Sequence, residues 1–296
     1  MALQNVMEVL ERQEWLDAAS EPTQRAVTSA INAGGATGRK LDDFLNGVWL
    51  GHPLHPMLVE IPIGAWSVTL VLDTLEALNT GETARQYALG ADTSLIIGLL
   101  GAVGSAATGL TQWQYTDGQA RRLGIVHAAL NTAATALYTT SLICRKAGAR
   151  RAGFWTGLLG YAVVSVSGYI GGELSYTHRI GVDHAPEQLP PGDFAPALAT
   201  DDLSEGQLKG ITFNNVPVCL VRQHGVVYAL ANDCAHLGGP LAEGQLEDGC
   251  VVCPWHGSRF ALASGQVVNG PAACNQPVYE VRERNGQIEL RPANQV

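Results

Sequence analysis

Cys234-Ala-His236 and, after a gap of 16 residues, Cys253-Pro-Trp-His256 deliver two thiols and two imidazoles from two separate segments. Equal numbers of soft sulfur and borderline nitrogen donors suit a transition-metal centre. A [2Fe-2S] unit would divide them two and two, with Cys234 and Cys253 on one iron and His236 and His256 on the other. Two ferric ions, two sulfides and two thiolates sum to zero charge, whereas four thiolates would leave a negative cluster. The neutral cluster accepts an electron more readily, at roughly −150 to +300 mV against about −400 mV for all-cysteine plant-type clusters. Structural zinc is the competing occupant. Its usual spacing pairs like with like, Cys-x2-Cys then His-x3-His, while each half here is mixed.

The elements around this constellation change character along the chain. Four apolar stretches, at 57–78, 89–110, 124–144 and 153–172, are each about as long as the roughly 20 helical residues that cross a bilayer. From about residue 207 short β runs take over, at 208–213, 216–222, 226–230, 251–253, 260–261 and 278–281, separated by turn residues. The expected architecture is a membrane all-α four-helix bundle followed by a small all-β domain. The expected segments are an amphipathic helical stretch at 1–47, a four-helix transmembrane domain at 48–182, a proline-rich linker at 183–196 (Pro186, Pro190, Pro191, Pro196) and a metal-binding domain at 197–296. Gly98, Gly101 and Gly104, and the pair Gly168 and Gly172, are spaced for close helix approach.

Composition agrees. Hydrophobic residues make up 46% of the 296 and charged residues only 15%, too oily for an ordinary soluble enzyme. The net charge of −9 divides as −2 over residues 1–180 and −7 over 181–296. An acidic metal domain expects a redox partner protein with a basic docking face and excludes nucleic acid. Cys144, Cys219, Cys250 and Cys274 read as buried small hydrophobes.

The two Cys–His segments, with Gly-Pro-Leu and Gly-Ser-Arg-Phe after them, resemble the Rieske [2Fe-2S] family over about residues 197–296. The resemblance implies one-electron transfer, a hydrogen bond from Ser258 to a bridging sulfide, and exposed histidine edges as the docking surface. High-potential members carry an extra cysteine in each segment and a tyrosine nearby. Gly239, Trp255 and Phe260 stand at those positions here, which implies a potential low in the family range. Gly51-His52-Pro-Leu-His55-Pro56 and Gly171-Gly-Glu173-Leu-Ser-Tyr-Thr-His178-Arg-Ile-Gly-Val182 are similar to the ends of an uncharacterised four-helix bacterial membrane family over about 48–182.

An even number of spans returns the chain to its starting face, which gathers His52, His55, His127 and His178 there with Glu60 and Glu173, and His184 just behind. Polar groups at that depth bind something or pair. A haem b held by two histidines, a quinone handled by a histidine and a carboxylate, and plain hydrogen-bonded structural histidines are the three readings. Arg39, Lys40, Arg121, Arg122 and Arg179 on one face balance Arg85, Arg145, Lys146, Arg150 and Arg151 on the other, so charge does not choose an orientation. The polar amino-terminal region carries no secretory pattern, which favours a bacterial inner membrane location with the metal domain in the cytoplasm. The leading function is a membrane-anchored one-electron carrier. An oxygenase component, with His52, His55 and Glu60 mimicking an iron triad, and a redox sensor are the alternatives.

Overall fold

The computed structural model describes residues 2–186 and 192–293 and divides into two compact units, one of residues 2–33 and 54–180, the other of 34–53 and 181 onward.

The first unit is helical. Short helices α1 (Ala2–Glu11) and α2 (Asp17–Ala33) precede the long helices α4 (Leu54–Leu78), α5 (Gly81–Trp113), α6 (Gly118–Lys146) and α7 (Arg150–Tyr176); α3 (Gly35–Asn46) belongs to the other unit. Packing is closest within the hairpins α4–α5 and α6–α7, and α5–α6 and α4–α7 contacts close the ring. Trp66, Leu95, Ala134, Tyr138 and Val164 fill the interior, with the Trp66 and Tyr138 rings stacked at 4.1 Å. Large apolar side chains such as Val71, Leu100, Val103 and Ile143 point outward instead, which is what a lipid-facing surface needs and what water would penalise.

By length and composition α4, α5 and α7 are apolar enough to cross a membrane. The fourth expected stretch lies in α6, which falls short in composition. Its threonines explain why: Thr132, Thr135, Thr139 and Thr140 each donate to the carbonyl four residues back, so hydroxyls that count as polar are satisfied within the helix.

Two ionic clusters tie this unit together. Arg145, 5% exposed, makes a two-pronged pair with Asp73, with Nη1 at 2.6 Å from Oδ1. Arg150 grips Glu76 at 2.5 and 2.7 Å. Arg121 and Arg122 hold Asp17 at 2.8 and 2.6 Å and so fasten α2 to α6. The hydrogen bond from Arg122, then that from Arg121, holds the Asp17 carboxyl down at about 2.

The second unit is two antiparallel sheets. One has six strands in the order β1-β10-β9-β4-β3-β2 and the other four in the order β5-β6-β7-β8. Their ranges are β1 Ala195–Ala199, β2 Leu208–Phe213, β3 Val216–Gln223, β4 Val226–Ala231, β5 Gln245–Glu247, β6 Cys250–Val252, β7 Arg259–Ala261, β8 Val267–Asn269, β9 Val278–Arg284 and β10 Gln287–Pro292. The hairpin turns Asn214-Asn215, His224-Gly225, Asp248-Gly249 and Asn285-Gly286 hold both residues at positive φ, the geometry that matches the twist of two-residue hairpins. β3 is buried on both faces. Cys219 and Val221 enter one core with Leu230, Val251 and Phe260, while Val218 and Leu220 enter the other with Phe213, Tyr279 and Ile288.

The four-stranded sheet is inserted between β4 and β9. The segment 34–53 packs with this unit: the Gly270 N–H donates to Asp43 Oδ1 at 2.8 Å, a contact 227 residues apart that no local pattern signals. Of the linker expected at 183–196, Pro190 and Pro191 lie outside the described residues and Pro196 belongs to β1.

Candidate metal centre

Two loops carry the mixed donors, one between β4 and the short helical turn at Leu241, the other between β6 and β7. They fold identically. The Gly238 N–H donates to the Cys234 carbonyl at 2.8 Å and the Cys234 N–H to the Gly239 carbonyl at 2.9 Å; the Gly257 N–H donates to the Cys253 carbonyl at 3.1 Å and the Cys253 N–H to the Ser258 carbonyl at 2.8 Å. Each turn needs a left-handed residue, supplied by Gly238 (φ 77°) and Gly257 (φ 73°). The turn aims the amides of His236 and Leu237 at the Cys234 sulfur, and those of Trp255 and His256 at the Cys253 sulfur.

The two thiols touch each other in the core, 1% and 3% exposed, with a hydrogen bond between them. That bond and the amides draw Cys253 below the usual thiol range, and the same bond pushes Cys234 above it, because the pair shares a proton. The two imidazoles face each other edge-on, centroids 5.1 Å apart, and are only partly covered. Burial, then repulsion from His256 and His184, pushes His236 down to about 3, so it is neutral and competent as a ligand. Thiols paired inside and imidazoles paired outside, rather than four donors around one point, fit a two-iron cluster better than a single zinc ion.

Three supporting contacts surround the loops, and those of Gln276 and His184 have no motif to announce them. Gln276, 2% exposed, accepts the Ala235 N–H at 3.0 Å and donates to the Ala231 and Asp233 carbonyls at 2.8 and 2.7 Å, clamping the first loop. The His184 N–H donates to the Ala235 carbonyl at 2.9 Å, which puts this histidine beside the metal loop. The Ala272 N–H donates to Ser258 Oγ at 3.1 Å, leaving that fully buried hydroxyl its own proton to give. Phe260 is fully buried below the site. The exposed rim includes Trp255, 57% exposed, edge-on to His256.

The helical unit brings His55 and His127 within electrostatic range of each other. His178 Nε2 meets Glu11 Oε1 at 2.9 Å instead. His52 belongs to the β-rich unit, exposed, with Nδ1 at 2.8 Å from the Pro53 carbonyl. Glu60 is exposed and Glu173 half-buried.

Residues 193–280 match the Rieske [2Fe-2S] domain family, and residues 51–184 match a family described as predicted membrane protein (DUF2231). Apoptosis-inducing factor 3 of Mus musculus is 31% identical over 121 residues, covering 38% of this chain but only 20% of that one. The chain thus spans about a fifth of that relative. The ferredoxin component of the naphthalene 1,2-dioxygenase system of Pseudomonas putida is 32% identical over 94 residues, covering 32% of this chain and 90% of the ferredoxin. Among solved structures, the ferredoxin of carbazole 1,9a-dioxygenase from Nocardioides aromaticivorans is 24% identical, covering 34% of this chain and all of that one, at a TM-score of 0.33.

Proposed function

From the premise that the chain belongs to the Rieske [2Fe-2S] family, we propose that it is a membrane-anchored one-electron carrier. A bound [2Fe-2S] cluster supplies reversible one-electron chemistry at a potential set by its surroundings. Cys234 and Cys253 would hold one iron, and His236 and His256 the other. The twin loops set all four donors at one site, the core around the thiols keeps water out, and the amides on each sulfur favour the added negative charge. Electrons enter and leave at the rim of His236, His256 and Trp255, where the imidazole edges meet solvent.

The partner is a protein with a basic face, complementary to the net −7 of residues 181–296. The similarity to a dioxygenase ferredoxin component makes an oxygenase-like acceptor the first class to test. The helical unit is the anchor, crossing a bacterial inner membrane four times with α6 as the fourth span, its threonines internally bonded. The cluster domain lies on the cytoplasmic side. A haem b or a quinone in the histidine region of the helices is the cluster's partner within the chain.

The observation that carries this reading is the pairing of buried thiols and of rim imidazoles on two loops of one shape. Low-temperature EPR of the dithionite-reduced protein tests it. The wild type gives a Rieske signal, and His236→Ala loses it while the helical circular dichroism stays. A Rieske signal that survives in His236→Ala sinks the ligand assignment.

A further inference from the structure

The two helical hairpins are copies of one another. A shift of 72 residues carries α4 onto α6, matching His55 with His127, Trp66 with Tyr138 and Asp73 with Arg145; a shift of 62 carries α5 onto α7, matching Gly98 with Gly160, Ser105 with Ser167 and Gly109 with Gly171. Matched residues make matched contacts. His55 Nδ1 lies 3.0 Å from the Ser105 carbonyl, and His127 Nδ1 2.9 Å from the Ser167 carbonyl. A Cβ on Gly109 would lie 2.8 Å from His55 Cε1, and one on Gly171 would lie 3.0 Å from His127 Cε1. Gly98 seats Trp66 as Gly160 seats Tyr138.

A two-fold relation requires residues on its axis to meet their own counterparts. Trp66 stacks on Tyr138, and Asp73 pairs with Arg145. His55 and His127, 11 residues before the aromatic pair on each helix and so about 16 Å along it, are related by the same axis and lie within electrostatic range of each other.

Their tautomer follows from their partners. A backbone carbonyl only accepts, so Nδ1 carries the proton in both rings and Nε2 presents its lone pair. Asn131 Nδ2, 3.0 Å from His127 Nε2, donates to that lone pair. A bond from Nδ1–H to a carbonyl is also what orients metal-ligating histidines and makes them better donors. Two imidazoles alone hold a free metal ion poorly. An iron porphyrin brings four nitrogens of its own and asks the protein for two.

We propose that His55 and His127 are the two axial ligands of a b-type haem held on the pseudo-two-fold axis of the duplicated hairpins. This rests on the reading of the helical unit as the cluster's partner, and narrows its histidines to one pair. His178, held by Glu11 in the structure, is not a ligand. A hydroquinone, whose hydroxyls donate, is the other occupant that the Nε2 lone pairs would accept, with Asn131 giving up its bond to His127 in either case.

The test uses the full chain purified in detergent from haem-fed cells. Pyridine haemochromogen stoichiometry, reduced-minus-oxidised absorbance, low-temperature EPR and organic extraction for quinone are read on the same samples. The expected result is one low-spin b haem per chain, lost in His55→Ala and in His127→Ala, kept in His178→Ala, with the Rieske signal unchanged throughout. Added imidazole restores the low-spin band in His55→Ala, which a misfolded bundle would not allow. A wild type with a Rieske signal and no haem overturns this inference alone, as does haem at full occupancy in both alanine variants. Quinone extracted from wild type but not from His55→Ala overturns it in favour of hydroquinone. Haem without any Rieske signal leaves the histidine pair standing and removes the cluster reading instead.

Discussion

Gln276 spends all three of its hydrogen bonds on the first Cys–His loop: it accepts from the Ala235 N–H and donates to the Ala231 and Asp233 carbonyls while 2% exposed. Gln276→Met keeps the length and apolar stem and removes all three bonds. At about 0.5–1.5 kcal/mol net for each, the loss is about 3 kcal/mol, roughly a hundredfold in the local folding equilibrium. Gln276→Glu adds a pH signature. A carboxylate buried against two carbonyls has its pKa raised above the unfolded value of about 4.3, so the variant's destabilisation is small below that pH and grows as pH rises through the raised pKa. Urea titration in detergent, followed by loss of cluster absorbance, measures both. A Gln276→Met midpoint equal to wild type, with cluster content unchanged, refutes the clamp.

Gly239→Ala places a Cβ 2.8 Å from Cys253 Sγ and 3.0 Å from the Trp255 ring; overpacking of this kind costs about 1–3 kcal/mol, and spin counting should find fewer clusters per chain. Asp17, held down at about 2 by Arg122 and Arg121, contributes stability that is complete above its ordinary 3.8 and lost as pH falls through about 2. Limited proteolysis of the amino-terminal helices should therefore stay slow at pH 4, and should be accelerated in Asp17→Asn at pH 4 and above, a difference that closes as pH falls through about 2. Arg145→Leu strands the buried Asp73 carboxylate at a cost of about 3–5 kcal/mol, while the double replacement Asp73→Leu with Arg145→Leu recovers most of it; thermal melting in detergent compares them. Ser258→Ala removes a proton donor and should lower the cluster potential by about 40 mV, the equivalent of about 1 kcal/mol in a one-electron couple; an unchanged redox titration means that the hydroxyl does not face a sulfide.

The two Cys–His turns were legible because their spacing is local. Cys-x-His and Cys-x-x-His are each the span of one tight turn, and both turns exist as such. β2, β3 and β4 were legible within about a residue because alternation and positive-φ turn residues bound them, as at Asn214-Asn215 and His224-Gly225. β1 and β10 were not, since Ala195–Ala199 lacks alternation and earns its strand by pairing with β10, almost one hundred residues away. Long-range bonds hid Gln276, whose value lies in three backbone groups over forty residues upstream, and hid the docking of residues 34–53 through Asp43. The duplication is written in the sequence, but aligned residues differ in kind at two of three interior layers, Trp against Tyr and Asp against Arg. Only the contacts reveal that each meets its counterpart.

That asymmetry within symmetry has a physical reason. Two identical residues on a two-fold axis must be self-complementary, and neither aspartate nor arginine is: two buried carboxylates or two buried guanidiniums would repel at low dielectric, whereas Asp73 with Arg145 neutralise each other. The aromatic layer is free of this constraint, since Trp and Tyr both stack, and so it drifted without changing its role. Of these three pairs, histidine is the one kept identical. Two neutral imidazoles have no charge to repel and no reason to differ, unless one had to become a donor to the other. Instead each turns its Nδ1–H to its own hairpin partner, Ser105 or Ser167, and neither bonds across the axis as structural histidines would. Layers that only hold the hairpins together satisfy themselves across the axis; the histidine layer does not, since the His127 lone pair is met by Asn131 of its own helix and that of His55, among the described residues, by no group across the axis.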